Sequence, residues 1–298
     1  MDSQFLNRMP DDSMKSILIQ FDTDSQPSSF DRVVALDSGV DELFSYSRIT
    51  PTSVAPLVHG AMFTRGPADL KNTAIFIGGS SVADGEALLS AVQSAFFGPV
   101  RVSVMMDSNG SNTTAAAAVL AAAGHLDLSH TTALILGGTG PVGQRAAQIM
   151  CGLGASVRIG TRKISRAEVT CDAVAAVVDG AQVIPHETGT TRALAAAADG
   201  AELIIATGAA GVQLLSLSQR RELGSLKLAI DLNAVPPAGI EGVEVMDRAE
   251  ERDGVICYGA IGVGGKKMKI HKAAVAKLFT ANDLVLDTNA IFEIGQNL

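Results

Sequence analysis

The segment from residue 131 to residue 150, TTALILGGTGPVGQRAAQIM, decides the fold of this chain. Its first part, Thr132 to Leu136, is a run of β-branched and aliphatic residues that predicts a buried strand. The run leads into Gly138-x-Gly140-x-x-Gly143, after which small and apolar residues follow at helical spacing. The segment therefore predicts a strand, a tight turn and a helix.

Glycines in this arrangement are typical of a dinucleotide-binding turn. One glycine makes the turn, one lets the backbone approach a pyrophosphate, and one lets the helix pack closely on the strand. The free N–H groups of the helix N-terminus face the phosphates. A second strand is predicted over residues 156–160, at the spacing of a βαβ unit. The predicted cofactor-binding residues of this turn are Gly138, Thr139, Gly140, Pro141, Val142 and Gly143.

The end of that second strand bears on the choice of coenzyme. An enzyme strict for NAD places Asp or Glu there to hold the ribose hydroxyls, whereas this chain has Thr161, Arg162 and Lys163. Two cations can pair with a 2′-phosphate, so NADP is predicted and NAD is not excluded. A solvated basic loop is the alternative interpretation. Later strand ends add Thr207, Gly208 and Asn233 to the predicted cofactor site.

Composition limits the function classes. The chain has 298 residues, 47% of them hydrophobic, and a net charge of −8. Its length fits two domains of ordinary size, and its acidic balance argues against nucleic acid as a partner. No apolar run is long enough to predict a membrane span, and residues 1–15 contain no apolar signal segment. We therefore expect a cytoplasmic protein without a metal site.

The first hundred residues predict a second α/β domain with its own polar strand ends. Asp22 and Asp24 follow the first strand, and a polar loop containing Asp107 and Asn109 follows a later one. Such residues either line a ligand crevice or cap the helices that follow, and the sequence favours neither.

The predicted fold class is two α/β domains with a cleft between them, one of them a Rossmann-type doubly wound parallel sheet. The predicted organisation is a disordered extension over 1–14, a substrate domain over 15–112 and 275–298, and a nucleotide domain over 113–274.

A glycine-rich stretch near the C-terminus, residues 259–265, is followed by KKMKIHKAAVAKLF. We expect the glycines to form a loop close to a ligand and a helix to begin after them. Lys267 and His271 are four residues apart and so share a helix face. Lysines near a helix start oppose the helix dipole, which favours a specific task over a basic solvated face.

Four segments together resemble the NAD(P)-dependent methylene-tetrahydromethanopterin dehydrogenases of methylotrophic bacteria, from about Lys15 onward. They are QFDTD at 20–24, DSNGSNTT at 107–114, GTGPVG at 138–143 and GVGGKKMKIH at 262–271. The second and fourth are the most specific, because the glycine turn is widespread.

The resemblance implies that a hydride passes from methylene-tetrahydromethanopterin to NAD(P)+, giving the methenyl product in the oxidation of formaldehyde. It implies that Lys267 is catalytic. Because a charged ammonium would repel a developing methenyl cation, we hypothesise that partial burial keeps Lys267 neutral and that it orients the substrate through hydrogen bonds. The substrate-binding residues implied are Asp22, Asp24, Asp107, Asn109 and His271. A homo-oligomer, a trimer among the possible forms, is also implied.

Three alternatives stay open from the sequence. Methylene-tetrahydrofolate is a related pterin substrate that the sequence cannot rank. A carbonyl-reducing NADP dehydrogenase of the shikimate type shares the two-domain layout but needs a proton donor. A regulator that binds NADP without turnover is the non-catalytic alternative.

Overall fold

The computed structural model describes residues 14–298, and these form two compact units. The first unit runs from the start of the described chain to Gly79 and adds Ala83–Met106 and Val275–Val285. The second comprises Ser80–Val82, Asp107–Ala274 and Leu286–Leu298. Each unit is built on a largely parallel sheet, so the predicted pair of α/β domains is confirmed. The predicted disordered extension, apart from Met14, lies outside the described residues.

The strands in chain order are β1 (Ile17–Asp22), β2 (Glu42–Tyr46), β3 (Thr73–Gly78), β4 (Ser103–Met106), β5 (Thr132–Leu136), β6 (Ser156–Thr161), β7 (Val183–Glu187), β8 (Leu203–Ala206), β9 (Leu228–Asp231), β10 (Arg248–Arg252), β11 (Val255–Tyr258) and β12 (Val285–Leu286).

The helices are α1 (Ser29–Asp37), α2 (Ala55–Phe63), α3 (Val82–Ser94), α4 (Ser111–Ala123), α5 (Pro141–Gly152), α6 (Ile164–Ala175), α7 (Thr191–Ala198), α8 (Leu217–Arg221), α9 (Ala260–Lys277) and α10 (Thr288–Gln296). Short 3₁₀ turns include Ser108–Gly110, which directly precedes α4.

The first sheet has the strand order β12-β4-β3-β1-β2. The pairs β1–β2, β1–β3 and β3–β4 are parallel. All six residues of β3 are buried, as are all four of β4. Strands covered on both faces in this way read as continuous apolar runs, which is why they could be predicted from the sequence.

The second sheet has the order β10-β11-β9-β8-β5-β6-β7. Its neighbouring strands pair in parallel, except for the antiparallel hairpin β10–β11. The order reverses beside β5, as in a doubly wound dinucleotide-binding sheet. The Rossmann-type prediction is therefore confirmed. In this sheet Leu134, Ile135 and Leu136 of β5 are at most 1% exposed.

The C-terminal helix α10 packs against α4 and α5 of the second unit. Its Gly295 leaves no room for a side chain, because a Cβ there would lie 2.6 Å from Leu120 Cδ1. The sequence-based domain limits place residues 275–298 in the substrate domain, whereas the compact units divide this segment after Val285. The short apolar contact at Gly295 is the physical reason.

The predicted start of the last long helix is wrong. Helix α9 begins at Ala260 and contains the glycines that were expected to form a loop. Gly262 is required there, because a Cβ would overlap the Asp247 carbonyl oxygen. Lys267 therefore lies seven residues into the helix, beyond the first turn, and the dipole argument for its special task does not apply.

Over residues 14–298, no helix combines the length and the apolar character needed to cross a membrane.

Candidate functional site

The turn between β5 and α5 is built as tightly as its glycines suggest. Gly137 has a φ of +67°, and a Cβ on it would lie 2.6 Å from Gly208 Cα. A Cβ on Gly138 would lie 2.8 Å from the Ile135 carbonyl oxygen, and one on Gly143 would lie 2.6 Å from Gly138 Cα. The protein's own packing therefore requires three of these glycines.

Gly140 differs from its neighbours. Its backbone is extended, with φ −80° and ψ 167°, and a Cβ would meet no protein atom closer than 3.8 Å. Neither strain nor packing demands glycine there. The free space lies at the N-terminus of α5, where unpaired N–H groups favour a phosphate. The turn thus fits a dinucleotide pyrophosphate, with Thr139, Pro141 and Val142 half-buried around it.

Two substitutions separate these roles. We expect Gly140→Ala to leave the free energy of unfolding within about 0.5 kcal/mol of wild type. It should raise the Kd for NADP about 10- to 100-fold, because the new methyl group enters the space of the pyrophosphate and removes charge-assisted hydrogen bonds. Gly143→Ala is the matched control, which should cost about 1 to 3 kcal/mol in stability through overpacking. Urea unfolding and fluorescence titration with NADPH measure the two effects, and unchanged NADPH affinity in Gly140→Ala would contradict this assignment.

The neighbouring strand ends hold the other predicted cofactor residues. Thr207 follows β8, and its backbone N–H donates to the Leu136 carbonyl at 2.8 Å. Gly208 packs so closely on Leu214 that a Cβ would lie 2.7 Å from its Cδ1. Asn233 follows β9, but its amide donates to the Pro237 carbonyl and accepts from Val235 N–H. That side chain is therefore engaged in its own loop.

At the end of β6, Thr161 is half-buried and Arg162 and Lys163 are exposed. Thr161 accepts a backbone hydrogen bond from Thr188 at 2.8 Å. Within the described part of the chain, no ion pair engages Arg162 or Lys163. Both cations are consequently available for an anion beside the nucleotide turn.

A second cluster in the same unit joins the loop before α4 to helix α9. The Asp107 carboxylate is 1% exposed. It accepts hydrogen bonds from Asn112 N–H at 2.8 Å, Thr113 N–H at 3.1 Å and Thr113 Oγ1 at 2.6 Å. His271 is also 1% exposed, and its Nδ1 lies 4.0 Å from Asp107 Oδ2. Both side chains lie in the interior beneath the loop, whereas Asn109 is exposed.

Lys267 lies one helical turn before His271 and against this loop. Its side chain is half-buried, and a Cβ on Gly110 would lie 3.1 Å from Lys267 Nζ and 3.2 Å from Cε. The structure thus brings Lys267, His271, Asp107 and the loop together. The spacing of Lys267 and His271 predicts that these two share a helix face, but not that they meet the loop. Sequence reasoning missed Gly110, although the pair Asn109-Gly110 is a familiar left-handed turn signal.

Burial gives His271 an unusual titration. It lowers the pKa of the imidazole from 6.5 to about 4, with Lys267 adding to the effect and Asp107 opposing it. The unfolded chain therefore binds the proton more readily, so the stability due to the neutral imidazole is complete above pH 6.5 and is lost as the pH falls toward 4.

We expect wild type to lose about 2 kcal/mol of unfolding free energy at pH 5 from this group alone. His271→Gln should lack that component, so its acid limb should be flatter even if its stability at pH 7.5 is lower. Urea unfolding at several pH values measures the difference. Parallel acid limbs in the two proteins would contradict the assigned burial effect.

Asp22 and Asp24 lie in the first unit, just after β1. The buried Asp22 carboxylate accepts from Asp24 N–H at 2.9 Å and Ser28 N–H at 3.1 Å. These bonds organise the turn into α1, which is the helix-cap interpretation of Asp22. Asp24 is half-buried, and its carbonyl accepts from Arg48 N–H at 2.8 Å.

Among residues 14–298, no group of three or more His, Cys, Asp or Glu side chains is placed so that it could hold a metal ion.

The sheet order and the glycine turn define a nucleotide-binding two-domain dehydrogenase fold. Shikimate 5-dehydrogenase from Listeria monocytogenes has a TM-score of 0.55 at 16% identity, over 97% of this chain and 99% of that one. Quinate dehydrogenase from Corynebacterium glutamicum has a TM-score of 0.54 at 14% identity, over 96% and 100%. These likenesses show the fold alone.

Sequence relatives are more specific. Residues 29–109 match the model of the N-terminal domain of methylene-tetrahydromethanopterin dehydrogenase. The bifunctional protein MdtA of Methylorubrum extorquens is 41% identical over 287 residues, 95% of this chain and 99% of the relative. The NAD(P)-dependent methylenetetrahydromethanopterin dehydrogenase of the same organism is 31% identical over 94% and 98%. This chain belongs to the methylene-tetrahydromethanopterin dehydrogenase family.

Proposed function

We propose that this protein oxidises methylene-tetrahydromethanopterin to the methenyl form and transfers the hydride to NAD(P)+, as a step of formaldehyde oxidation in one-carbon metabolism. One observation carries the proposal: the two segments most specific to the family meet in the structure, with Lys267 against Gly110 and His271 4.0 Å from Asp107. Neither segment belongs to the glycine turn that all dinucleotide-binding sheets share.

The protein's main task in this reaction is to position the substrate and the nicotinamide. A bound nicotinamide accepts the hydride, and no proton has to be moved in that step. The protein therefore has to hold the two carbons in line and exclude water. We assign the substrate-orienting role to Lys267, substrate contact to Asn109, and support of the loop to Asp107 and His271. Asp22 and Asp24 remain proposed substrate-side residues of the first unit.

We further propose that NADP is preferred and NAD is accepted. The support is chemical: Arg162 and Lys163 follow β6 where an NAD-strict enzyme has an acid. A guanidinium and an ammonium can pair with a 2′-phosphate, and neither repels the 2′-hydroxyl of NAD.

We propose a homo-oligomer as the working form, because the family resemblance implies one. Exposed apolar residues of the first unit, Phe44, Phe63 and Phe97, are 46%, 61% and 73% exposed. Multi-angle light scattering at micromolar concentration should give a mass at least twice the 30.7 kDa of one chain. A mass of one chain would contradict it.

The test of the reaction is a set of four initial-rate assays. Methylene-tetrahydromethanopterin and methylene-tetrahydrofolate are each assayed with NADP and with NAD, following reduced nicotinamide by absorbance. Turnover with the methanopterin substrate supports the proposal and ranks all four pairs. No turnover in protein that binds NADPH would reject it and leave a carbonyl-reducing dehydrogenase as the function to test, with a solvent isotope effect as its signature.

A further inference from the structure

The loop from Asp107 to Thr113 has a backbone form that needs explanation. Asn109 and Gly110 are consecutive residues with φ of +55° and +58°. Asn adopts the left-handed conformation more readily than most residues with a side chain, yet Asn109 is one of only four non-glycine residues with a positive φ in the described chain. A loop held in this form by its surroundings is typical of a site that needs a particular backbone path.

The restraints on the loop come from buried side chains. Asp107 binds both N–H groups at the start of α4 and the Thr113 hydroxyl. Asn112, 1% exposed, accepts a hydrogen bond from Thr288 Oγ1 at 2.8 Å, which ties the loop to α10. The loop is therefore fixed from its N-terminal end by a carboxylate and from its C-terminal side by the last helix.

What the fixed loop presents to α9 is Gly110. A Cβ built on Gly110 would lie 3.1 Å from Lys267 Nζ and 3.2 Å from Lys267 Cε. Both distances are shorter than most contacts that real Cβ atoms make. Any larger residue would push the lysine head group away. Two glycines of α9 itself, Gly264 and Gly265, have no such neighbour, because a Cβ on either would meet no atom within 4 Å.

We propose that Gly110 sets the position of the Lys267 side-chain nitrogen, and that the Asp107–Thr113 loop is held in its left-handed form to present that glycine. Gly110 is a positioning residue, acting through Lys267. The expected effect on kcat rests on the proposed function, whereas the expected effect on the position of Lys267 does not.

The test compares Gly110→Ala with Gly180→Ala. Gly180 has a similar φ of +69°, but a Cβ there would meet nothing within 4 Å. Both variants should lose about 1 kcal/mol of stability from the left-handed alanine. Only Gly110→Ala should lower kcat, by about 3- to 10-fold. The added methyl group displaces the lysine head group by a few tenths of an ångström, and a misplacement of about 1 Å costs on the order of 100-fold. The KM for NADP should not change.

A double-mutant cycle shows whether the effect passes through the lysine. In a Lys267→Ala background, Gly110→Ala should change the residual kcat by less than about 2-fold, since no lysine head group is left to displace. An equal loss of kcat in both backgrounds, or no loss in either, would overturn the proposal.

A readout without turnover separates this inference from the proposed function. The Nζ resonance of ¹⁵N-labelled Lys267, assigned by its absence from Lys267→Ala, should shift in Gly110→Ala and stay in place in Gly180→Ala. A shifted resonance in a protein that turns over neither pterin would uphold the positioning and reject the reaction. An unchanged resonance would overturn the positioning whatever the activity.

Discussion

Lys267→Met is expected to lower kcat for methylene-tetrahydromethanopterin oxidation about 100-fold or more, because one preorganised polar group at a reacting centre contributes on that scale. The Kd for NADPH should stay within about 2-fold of wild type, since the glycine turn and the end of β6 are untouched. Stopped-flow rates and NADPH titration measure the two quantities. Lys277→Met, an exposed lysine at the end of the same helix, is the control and should behave as wild type.

The contradicting result for Lys267 would be a variant with wild-type kcat. A loss of NADPH binding with an unchanged kcat at saturation would place the residue in the coenzyme site instead.

The second large effect is expected from the double variant Arg162→Ala, Lys163→Ala. Loss of two charge-assisted contacts with the 2′-phosphate should raise the KM for NADP about 100-fold or more. The KM for NAD should change by less than about 3-fold, because NAD has no phosphate at that position. The enzyme would thus shift its preference toward NAD.

The control variant also loses two positive charges, but at positions away from the end of β6. Lys71→Ala, Lys277→Ala removes two exposed cations elsewhere on the chain and should leave both KM values unchanged. Equal weakening of NADP and NAD in the test variant would contradict the proposed 2′-phosphate contact. Such a result would favour the solvated-loop interpretation of Thr161 to Lys163.

The nucleotide unit could be predicted from sequence because its signal is local. The buried run of β5, the turn glycines and the first turn of α5 are contiguous, and each glycine has a steric or ligand reason visible at that position. Helix α9 could not be placed correctly, because the reason for Gly262 is distant. Only the folded chain brings the Asp247 carbonyl against that glycine, so the residues read as a loop.

The site beyond the nucleotide turn was predictable in part. The spacing of Lys267 and His271 places both on one helix face, and in the structure both lie within α9 and against the loop before α4. Their nearness to Asp107 and Gly110 depends on how α4 and α9 pack, and no local pattern encodes that packing. The internal roles of Asp22 and Asp107 were equally invisible, since a capping carboxylate and a ligand-binding one look alike in sequence.

In the proposed reaction, a hydride passes directly from the methylene carbon of the pterin to the nicotinamide. The most direct measurement uses methylene-tetrahydromethanopterin with deuterium at both methylene positions, with the reduced coenzyme analysed by proton NMR. We expect one deuterium at nicotinamide C4 and a primary isotope effect on the single-turnover rate. Reduced coenzyme that carries solvent hydrogen at C4, or no reduction at all, would contradict it.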